Sequence, residues 1–359
     1  MTNKNQTLII AEAGVNHNGD LSKALKLVKI AAKAGADVIK FQTFNSESLV
    51  TKLAPKANYQ IKETDHNESQ LEMLKKLELS SSDYLAILEL CKKEKIQFMS
   101  TAFDNDSLDF LIKQLDIRTL KVPSGEITNG PFLLKHALTK KNIILSTGMS
   151  SISEIEDALS VIAFGYLSKK KPTKKLIKSA YDSSEGQDIL AKKIVLLHCT
   201  TQYPVPVNDI NLNAITTMKE YFNLKVGFSD HSLGINTAAN AVVLGAEVIE
   251  KHFTIDRELP GPDHKASLEP EEFSKMVDLV RETEISLGDG IKEPRPSEIE
   301  NRLIARKSIV ARNNIKKGAI INKSNIDFKR PGTGKSPMEY WDILNKKSSK
   351  DYEKDELIE

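Results

Sequence analysis

The chain lacks most of the features that mark secreted proteins, proteins with structural zinc sites and membrane proteins. It has 2 cysteines, Cys91 and Cys199, which are far apart and form no C-x-x-C pattern, so neither a disulfide framework nor a zinc knuckle is indicated. No apolar run reaches membrane-spanning length. The start, MTNKNQTLII, is too short and too polar for a signal peptide. We therefore expect a cytoplasmic protein with no membrane partner.

An excess of charge of one sign is also missing. Lys+Arg 51 against Asp+Glu 49 leaves a formal net charge of +2, which gives no electrostatic reason to expect a nucleic-acid partner. With 359 residues and 40% hydrophobic content, the chain can bury one large core and has room for a smaller one. A globular protein that acts on a small molecule is the expectation.

What the chain does have is a regular alternation of short apolar runs and helical patterns. Such alternation implies right-handed βαβ units and a parallel sheet. Eight units in roughly 285 residues match an α/β fold of the (β/α)8 TIM barrel type, with a doubly wound sheet as the alternative. The eight strand runs are TLIIAEAG, ADVIKFQT, IQFMST, TLKVPS, NIILSTG, KIVLLHCTT, KVGFSDH and AEVIEKHFT.

The composition changes after the last of these units. The polar stretch GDGIKEPRPSEIE contains two prolines and predicts a linker over 288–301, between a barrel over 1–287 and a small domain over 302–359. Two connections in the barrel are longer than this architecture requires. Residues 45–77 lie on the catalytic face and predict a lid. Residues 165–192 lie at the opposite face and predict a solvated surface excursion.

Polar side chains end the predicted strands, and the carboxyl ends of barrel strands carry the active site. Side chains two apart on a strand share a face, so Glu250 and His252 point inward together, as do Ser229 and His231. A single histidine would more often be a core residue, but two that converge from neighbouring strands predict a divalent metal with open positions. Zinc usually takes three or four protein ligands, so Mn²⁺, Co²⁺ or Mg²⁺ fits better.

Cations and hydroxyls on the same rim predict an anionic substrate. Lys40 and Lys121 lie inside strands, where burial of an unpaired lysine is expensive. Together with Ser124, Ser146 and Ser229 they suit a phosphorylated, carboxylated molecule. The alternative is that each lysine forms a structural ion pair with a strand-end glutamate.

Three glutamates complete the candidate set. Glu12 and Glu126 could each act as a general base or orient a polar substrate. Glu250 could instead support a metal-bound histidine.

The ordered motifs closely resemble the bacterial sialic acid synthase family, which includes N-acetylneuraminate and legionaminic acid synthases. The likeness covers nearly the whole chain, and the C-terminal unit looks like the antifreeze-like (SAF) domain of that family. The motifs are IIAEAGVNHNGD, IKFQTF, KVPSGEI, ILSTGM, LLHCT with YP, GFSDH, IEKHFT, PGPD and KRPGTG.

The resemblance implies a reaction. Phosphoenolpyruvate would condense with N-acetylmannosamine, or a close N-acetylated amino sugar, and water to give N-acetylneuraminate and phosphate, with C–O cleavage. An N,N'-diacetyllegionaminate synthase that uses a 2,4-diacetamido-6-deoxy mannose is the first alternative. From the residues alone, a metal-dependent sugar epimerase or isomerase and a non-catalytic carbohydrate-binding protein are more distant ones.

The resemblance also implies roles for the residues. His231 and His252 would hold the metal, usually Mn²⁺, and Arg330 would reach the barrel of a second subunit in a homodimer with exchanged C-terminal domains. Thr201 departs from the family, since many members have asparagine there. The catalytic residues would be Glu12, Glu126 and Lys121. The substrate-binding residues would be Lys40, Ser124, Ser146, Tyr203, Ser229, Glu250, Asp263 and Arg330.

Overall fold

The computed structural model describes residues 6–65 and 67–359. Residues 1–5, at the start of the predicted barrel, and residue 66, in the predicted lid, lie outside the described residues. The chain divides into two compact units, Met1–Gly288 and Asp289–Glu359. Among the residues described, no helix is both long enough and apolar enough to cross a membrane.

The first unit is a closed barrel of eight parallel strands, which confirms the predicted fold class. The strands are β1 (Leu8–Gly14), β2 (Val38–Thr43), β3 (Gln97–Ala102), β4 (Thr119–Val122), β5 (Asn142–Ser146), β6 (Ile194–His198), β7 (Lys225–Asp230) and β8 (Val248–His252). Each strand pairs with the next in sequence, and β1 pairs with β8 to close the barrel.

Helices follow the strands, and several begin where the sequence supplies a capping side chain. The Asp20 carboxylate accepts from two backbone N–H groups at the first helix, and Ser80 and Ser151 open capping boxes at two others. The helices are α1 (Leu21–Lys33), α2 (Ser46–Leu49), α3 (Asn58–Glu63), α4 (Gln70–Lys75), α5 (Ser81–Glu94), α6 (Asn105–Lys113), α7 (Gly130–Leu138), α8 (Ile152–Leu167), α9 (Lys174–Asp182), α10 (Ser184–Lys193), α11 (Asn213–Phe222), α12 (Asn236–Val243) and α13 (Pro270–Leu287).

Alternation along the strands separates two apolar layers. Ile249 packs outward, into the core between the sheet and the helices, whereas Val248 packs inside the barrel. The inner side chains form an apolar plug of Ile10, Val38, Met99, Ile144, Leu197 and Val248. Glu12, Lys40 and Glu250 come two residues after members of this plug, so they are the next side chains along the same inward face. The plug therefore underlies the candidate site.

The outward face of β8 carries a buried ion pair. Lys251 Nζ lies 3.0 Å from Asp230 Oδ2 on β7, and both side chains are completely buried. Asp230 Oδ1 accepts from the backbone N–H and the hydroxyl of Ser232, and Lys251 donates to the Ser232 carbonyl. Glu250 and His252 lie on the opposite, inward face, in agreement with the predicted parity of this strand.

The two long connections are largely helical. The lid segment 45–77 contains α2, α3 and α4. The excursion at 165–192 contains α9 and all but the last residue of α10. Both helices pack against α8, so the excursion is not an irregular loop. Thr173 and Ser183 cap these two helices, and the lysines at 169–175 are exposed as predicted.

The second unit is small and contains two paired strands. Its elements are α14 (Ile299–Ala305), β9 (Ser308–Ala311), β10 (Ile326–Lys329) and α15 (Tyr340–Ile343). The strands β9 and β10 are antiparallel, and apolar residues that include Ile309, Ile326 and Tyr352 form the core. The helix α14 begins inside the range predicted as linker. Two prolines precede it, and its residues are all exposed.

We expect the buried ion pair to matter for barrel stability. Lys251→Met leaves Asp230 buried without its partner, so the free energy of unfolding should fall by about 3–5 kcal/mol. The matched control is Lys225→Met, which breaks the exposed Lys225–Glu247 pair (3.1 Å) at the opposite end of β7 and β8 and should cost less than about 1 kcal/mol.

Urea unfolding followed by far-ultraviolet circular dichroism measures both variants. The chain has one tryptophan, Trp341 in the second unit, so tryptophan fluorescence would not report directly on the barrel. Equal losses in the two variants would contradict the expectation.

Candidate active site

A cavity of about 340 Å³ opens at the carboxyl ends of the barrel strands. Every site residue that the sequence predicted in the barrel lines this cavity, apart from Glu126. These lining residues are Glu12, Lys40, Lys121, Ser124, Ser146, Tyr203, Ser229, His231, Glu250, His252 and Asp263.

The floor of the cavity is a buried network of two lysines and two glutamates. Lys40 Nζ lies 2.7 Å from Glu12 Oε2 and 3.6 Å from Glu250 Oε2, and Lys121 Nζ lies 3.2 Å from Glu250 Oε1. Ser229 donates to Glu250 Oε1 at 2.8 Å. Strand register explains these contacts, because Glu12 lies opposite Lys40, and Ser229 lies opposite Glu250. The lysines are therefore ion-paired and also face the cavity.

The two glutamates differ in their preferred protonation state. Burial raises the pKa of Glu12, and the charge of Lys40 only partly opposes this effect. Burial would also raise the pKa of Glu250, but Lys121 and Lys40 outweigh it and hold that pKa well below its usual range. Glu250 is thus a fixed carboxylate, whereas Glu12 is the member of the pair that binds a proton more readily.

The two histidines face each other across neighbouring strands. Their ring centroids are 5.6 Å apart, and the Tyr203 ring lies 4.2 Å from His231. His231 Nδ1 lies 2.7 Å from the Thr200 carbonyl oxygen, so Nδ1 carries the proton and Nε2 keeps its lone pair. Burial lowers the pKa of His231 to about 4 and also lowers the pKa of His252. Both imidazoles are therefore neutral near pH 7.

These two side chains fit a metal that takes few protein ligands. His252 Nδ1 is buried without a hydrogen-bond partner among the described residues, 3.9 Å from Asp263 Oδ2. Burial, with the nearby charge of Glu12, raises the pKa of Asp263 to about 7. The described part of the chain has no group of three or more His, Cys, Asp and Glu side chains arranged to hold a metal. A closed zinc site is thus a poor fit, and an open two-histidine site is a better one.

The backbone at Gly148 lies close to the side chain of Ser124. The Ser124 hydroxyl accepts from the Gly148 N–H at 3.0 Å and lies 3.2 Å from Cys199 Sγ. A Cβ on residue 148 would lie 2.3 Å from Thr201 Oγ1 and 2.8 Å from Ser124 Oγ, so this approach requires glycine. The Thr201 hydroxyl is buried and has no hydrogen-bond partner among the described side chains and backbone.

Two predicted residues are placed elsewhere. Glu126 ends a short turn at Ser124–Glu126, is partly exposed, and accepts from Asn129 Nδ2 at 2.7 Å. It does not line the cavity. Arg330 belongs to the second unit, where its Nε donates to the Ala305 carbonyl at 3.0 Å.

Sequence reasoning assigned no role to several lining residues. Gln42 donates to Glu12 Oε1 at 3.2 Å, and its place two residues after Lys40 on the same face was a usable signal. The lid was predicted as a segment, but its individual contacts were not. The lid residues that line the cavity are Leu49, Val50, Tyr59, Gln60, Gln70, Met73, Leu74 and Leu77.

Known proteins resemble this chain over nearly its full length. It is 48% identical over 353 residues to the N,N'-diacetyllegionaminic acid synthase of Campylobacter jejuni, covering 98% of this chain and 99% of that protein. It is 46% identical over 341 residues to the synthase of the same name from Legionella pneumophila, covering 95% and 90%. The crystal structure of an N-acetylneuraminic acid (sialic acid) synthetase from Leptospira borgpetersenii in complex with citrate matches with TM-score 0.66 and 36% identity, over 83% and 90% of the two chains.

Family models match both units. Residues 27–292 match the NeuB family, and residues 306–359 match the SAF domain, the type predicted for the C-terminal unit. These matches confirm the resemblance that the sequence motifs indicated. The chain belongs to the NeuB family and is an enzyme of the sialic and legionaminic acid synthase type.

Proposed function

We propose that the protein condenses phosphoenolpyruvate with a 2,4-diacetamido-6-deoxy mannose and water to give N,N'-diacetyllegionaminate and phosphate. The observation that carries the proposal is that two buried lysines and two neutral histidines line the same cavity. The choice of acceptor rests on the relatives: those named diacetyllegionaminic acid synthase are 48% and 46% identical, against 36% for the sialic acid synthetase. N-acetylmannosamine, which the sequence favoured, becomes the second candidate.

The distant alternatives explain less of the site. A metal-dependent epimerase or isomerase would use the histidines and glutamates, but it gives no reason to bury Lys40 and Lys121 at the cavity floor. A non-catalytic carbohydrate-binding protein gives no reason for the floor network at all. Phosphoenolpyruvate is a cytoplasmic metabolite, so we place the reaction in the cytoplasm.

Charge balance indicates what else the site needs. Glu12 and Glu250 offset Lys40 and Lys121, so the ionised floor has no excess positive charge. Phosphoenolpyruvate carries a phosphate and a carboxylate, and burial of such an anion requires compensating charge. A divalent cation and a further arginine would supply this charge.

We assign the cation site to His231 and His252, with Mn²⁺ preferred and Mg²⁺ or Co²⁺ as alternatives. A bound cation of this kind polarises the aldehyde oxygen of the open-chain acceptor. Tyr203 packs against His231 and restricts its ring, while the Thr200 carbonyl fixes its tautomer. Asp263 lies beside His252, where it can orient the acceptor.

The chain's own groups would handle the charge and proton changes of the reaction. C3 of phosphoenolpyruvate bonds to the aldehyde carbon, C2 becomes cationic, water adds there, and the C–O bond to phosphate breaks as the water oxygen becomes the keto oxygen. Glu12 takes one proton of the added water, because its raised pKa makes it the better base, and passes it to the alkoxide oxygen of the former aldehyde. The second proton of the water leaves with phosphate. Lys121 and the Ser124 hydroxyl stabilise the departing phosphate. Lys40, Ser146 and Ser229 hold phosphoenolpyruvate in place.

No arginine among the described residues lines the cavity, and this is the reason to propose a homodimer with exchanged C-terminal domains. In such a dimer, Arg330 of one chain reaches the barrel of the other and adds its charge to the phosphate site. A closed pair of this kind is compatible with the two-fold symmetry common among soluble oligomers.

The first test is phosphate release from phosphoenolpyruvate with Mn²⁺. We expect release with the 2,4-diacetamido-6-deoxy sugar to exceed release with N-acetylmannosamine, and chelation to abolish it until Mn²⁺ is restored. His252→Ala should lose activity, whereas His136→Ala alters a buried histidine away from the cavity and serves as the control. Faster release with N-acetylmannosamine would reverse the choice of acceptor, and no release with either sugar would reject the proposal.

Glu12 and Glu126 can be told apart by matched substitutions. Glu12→Gln removes the proposed base and should lower kcat by about 10²–10⁴-fold. Glu126→Gln removes a carboxylate that lies outside the cavity and should leave kcat within a few-fold. Steady-state phosphate release measures both, and the opposite ranking would assign the base to Glu126.

Mixing two inactive variants tests the exchanged dimer. His252→Ala impairs the barrel but keeps Arg330, while Arg330→Ala keeps the barrel intact. If Arg330 acts across subunits, co-refolded mixtures form hybrid dimers with one complete site and regain activity above that of either variant. Activity that stays at the level of the separate variants would place Arg330 in its own chain's site or outside the mechanism.

A further inference from the structure

The cavity has an apolar wall that the proposed chemistry does not use. Six side chains that line the cavity also form a separate hydrophobic cluster, distinct from the cores of the barrel and the second unit. Every member is an aliphatic or phenyl side chain, although the floor nearby is charged. The wall consists of Val15, Phe44, Leu49, Leu74, Leu77 and Phe103. The phosphate and carboxylate of phosphoenolpyruvate would find no hydrogen-bond or charge partner on such a surface.

Strand ends and the lid contribute equally to this wall. Val15, Phe44 and Phe103 follow β1, β2 and β3, whereas the three leucines come from α2, from α4 and from the residues just after α4. Two contacts join the beginning of the lid to its end. The Ser46 N–H donates to Glu78 Oε1 at 2.7 Å, and Glu47 pairs with Lys75 at 2.7 Å. Strand ends and lid helices therefore build the wall together.

A second part of the lid presents amides to the same cavity. The Tyr59 ring lies 5.0 Å from the Tyr203 ring, and Gln60 Nε2 lies 3.4 Å from the Tyr59 hydroxyl. Gln70 Nε2 lies 3.4 Å from Gln60 Oε1, which also accepts from the Ala57 N–H at 3.0 Å. This leaves Gln70 Oε1 as an acceptor with no hydrogen-bond partner among the described residues.

The order of these groups follows the order of groups on the acceptor. From the histidine pair, contacts run through Tyr203 to Tyr59, Gln60 and Gln70 of the lid, and Leu74 lies one helical turn beyond Gln70. An open-chain 2,4-diacetamido-6-deoxy sugar runs from its aldehyde through two acetamido groups to a methyl group at C6.

We propose that the lid, residues 45–77, selects the acceptor: Gln60 and Gln70 bind its acetamido groups, and the apolar wall binds its C6 methyl. Gln70, which adjoins the wall, binds the C4 acetamido group, and its Oε1 accepts the acetamido N–H. This inference rests on the proposed function and adds the residues that set its specificity.

The wall disfavours N-acetylmannosamine for a physical reason. That sugar has hydroxyl groups at C4 and C6, and the C6 hydroxyl would lose water against side chains that offer no hydrogen bond. An apolar pocket discriminates only moderately against an added hydroxyl, by up to about 10²-fold. The lid therefore sets a preference between the two sugars and leaves some turnover of the weaker one.

The test compares the two sugars in lid variants of the full-length, Mn²⁺-loaded enzyme. The measured quantity is the ratio of kcat/KM for the diacetamido sugar to kcat/KM for N-acetylmannosamine, at saturating phosphoenolpyruvate. Gln70→Ala and Leu74→Gln should each lower this ratio by about 10-fold, with the KM for phosphoenolpyruvate within two-fold of wild type. The controls Gln114→Ala and Leu138→Gln alter exposed positions outside the cavity and should leave the ratio unchanged.

The outcomes separate this inference from the proposed function. Wild-type release with the diacetamido sugar, together with an unchanged ratio in both lid variants, would overturn the inference and keep the function. No wild-type release with either sugar would overturn the function and this inference with it. A variant that loses activity with both sugars equally counts against selection by the lid. Leu49→Gln repeats the test from α2, so the result does not depend on how α4 tolerates substitution.

Discussion

The active site depends on four charges that the barrel removes from water together. Glu12, Lys40, Lys121 and Glu250 come from β1, β2, β4 and β8, and each has its opposite charge within the same network. Buried ions are tolerated only when they are paired, and only the closed barrel brings these strands together. A shift of one residue in the register of β8 would turn Glu250 toward the helices, so the fold and the chemistry share one constraint.

The outward face of β8 contributes to stability, whereas its inward face carries residues of the candidate site. Lys251 and Asp230 form an outward pair, and each directly precedes one of the histidines, His252 and His231. The ion pair therefore holds the backbone at the points where the two imidazoles leave the sheet. This explains why three ionisable residues follow one another in EVIEKHFT, since two face the cavity and the third anchors the strand behind them.

The sequence predicted what is periodic and missed what is not. Barrel strands repeat with a period of two, so the inward placement of Glu250 and His252 followed from spacing alone. Glu126 could not be told from Glu12, because a short turn at Ser124–Glu126 carries its side chain away from the cavity. The contacts of Tyr59 and Gln60 were out of reach for a different reason: they depend on how the lid folds back over distant strand ends, which local spacing does not encode.

The difference between floor and lid bears on where specificity can change. Substituting a member of the floor network leaves an opposite charge buried without its partner, which costs about 3–5 kcal/mol, so the floor tolerates little variation. Most lid side chains that line the cavity, such as Gln60, Gln70 and Leu74, are only partly buried, and substitutions at such positions usually cost far less. Substitutions in the lid can therefore change the cavity wall while the charged floor stays the same.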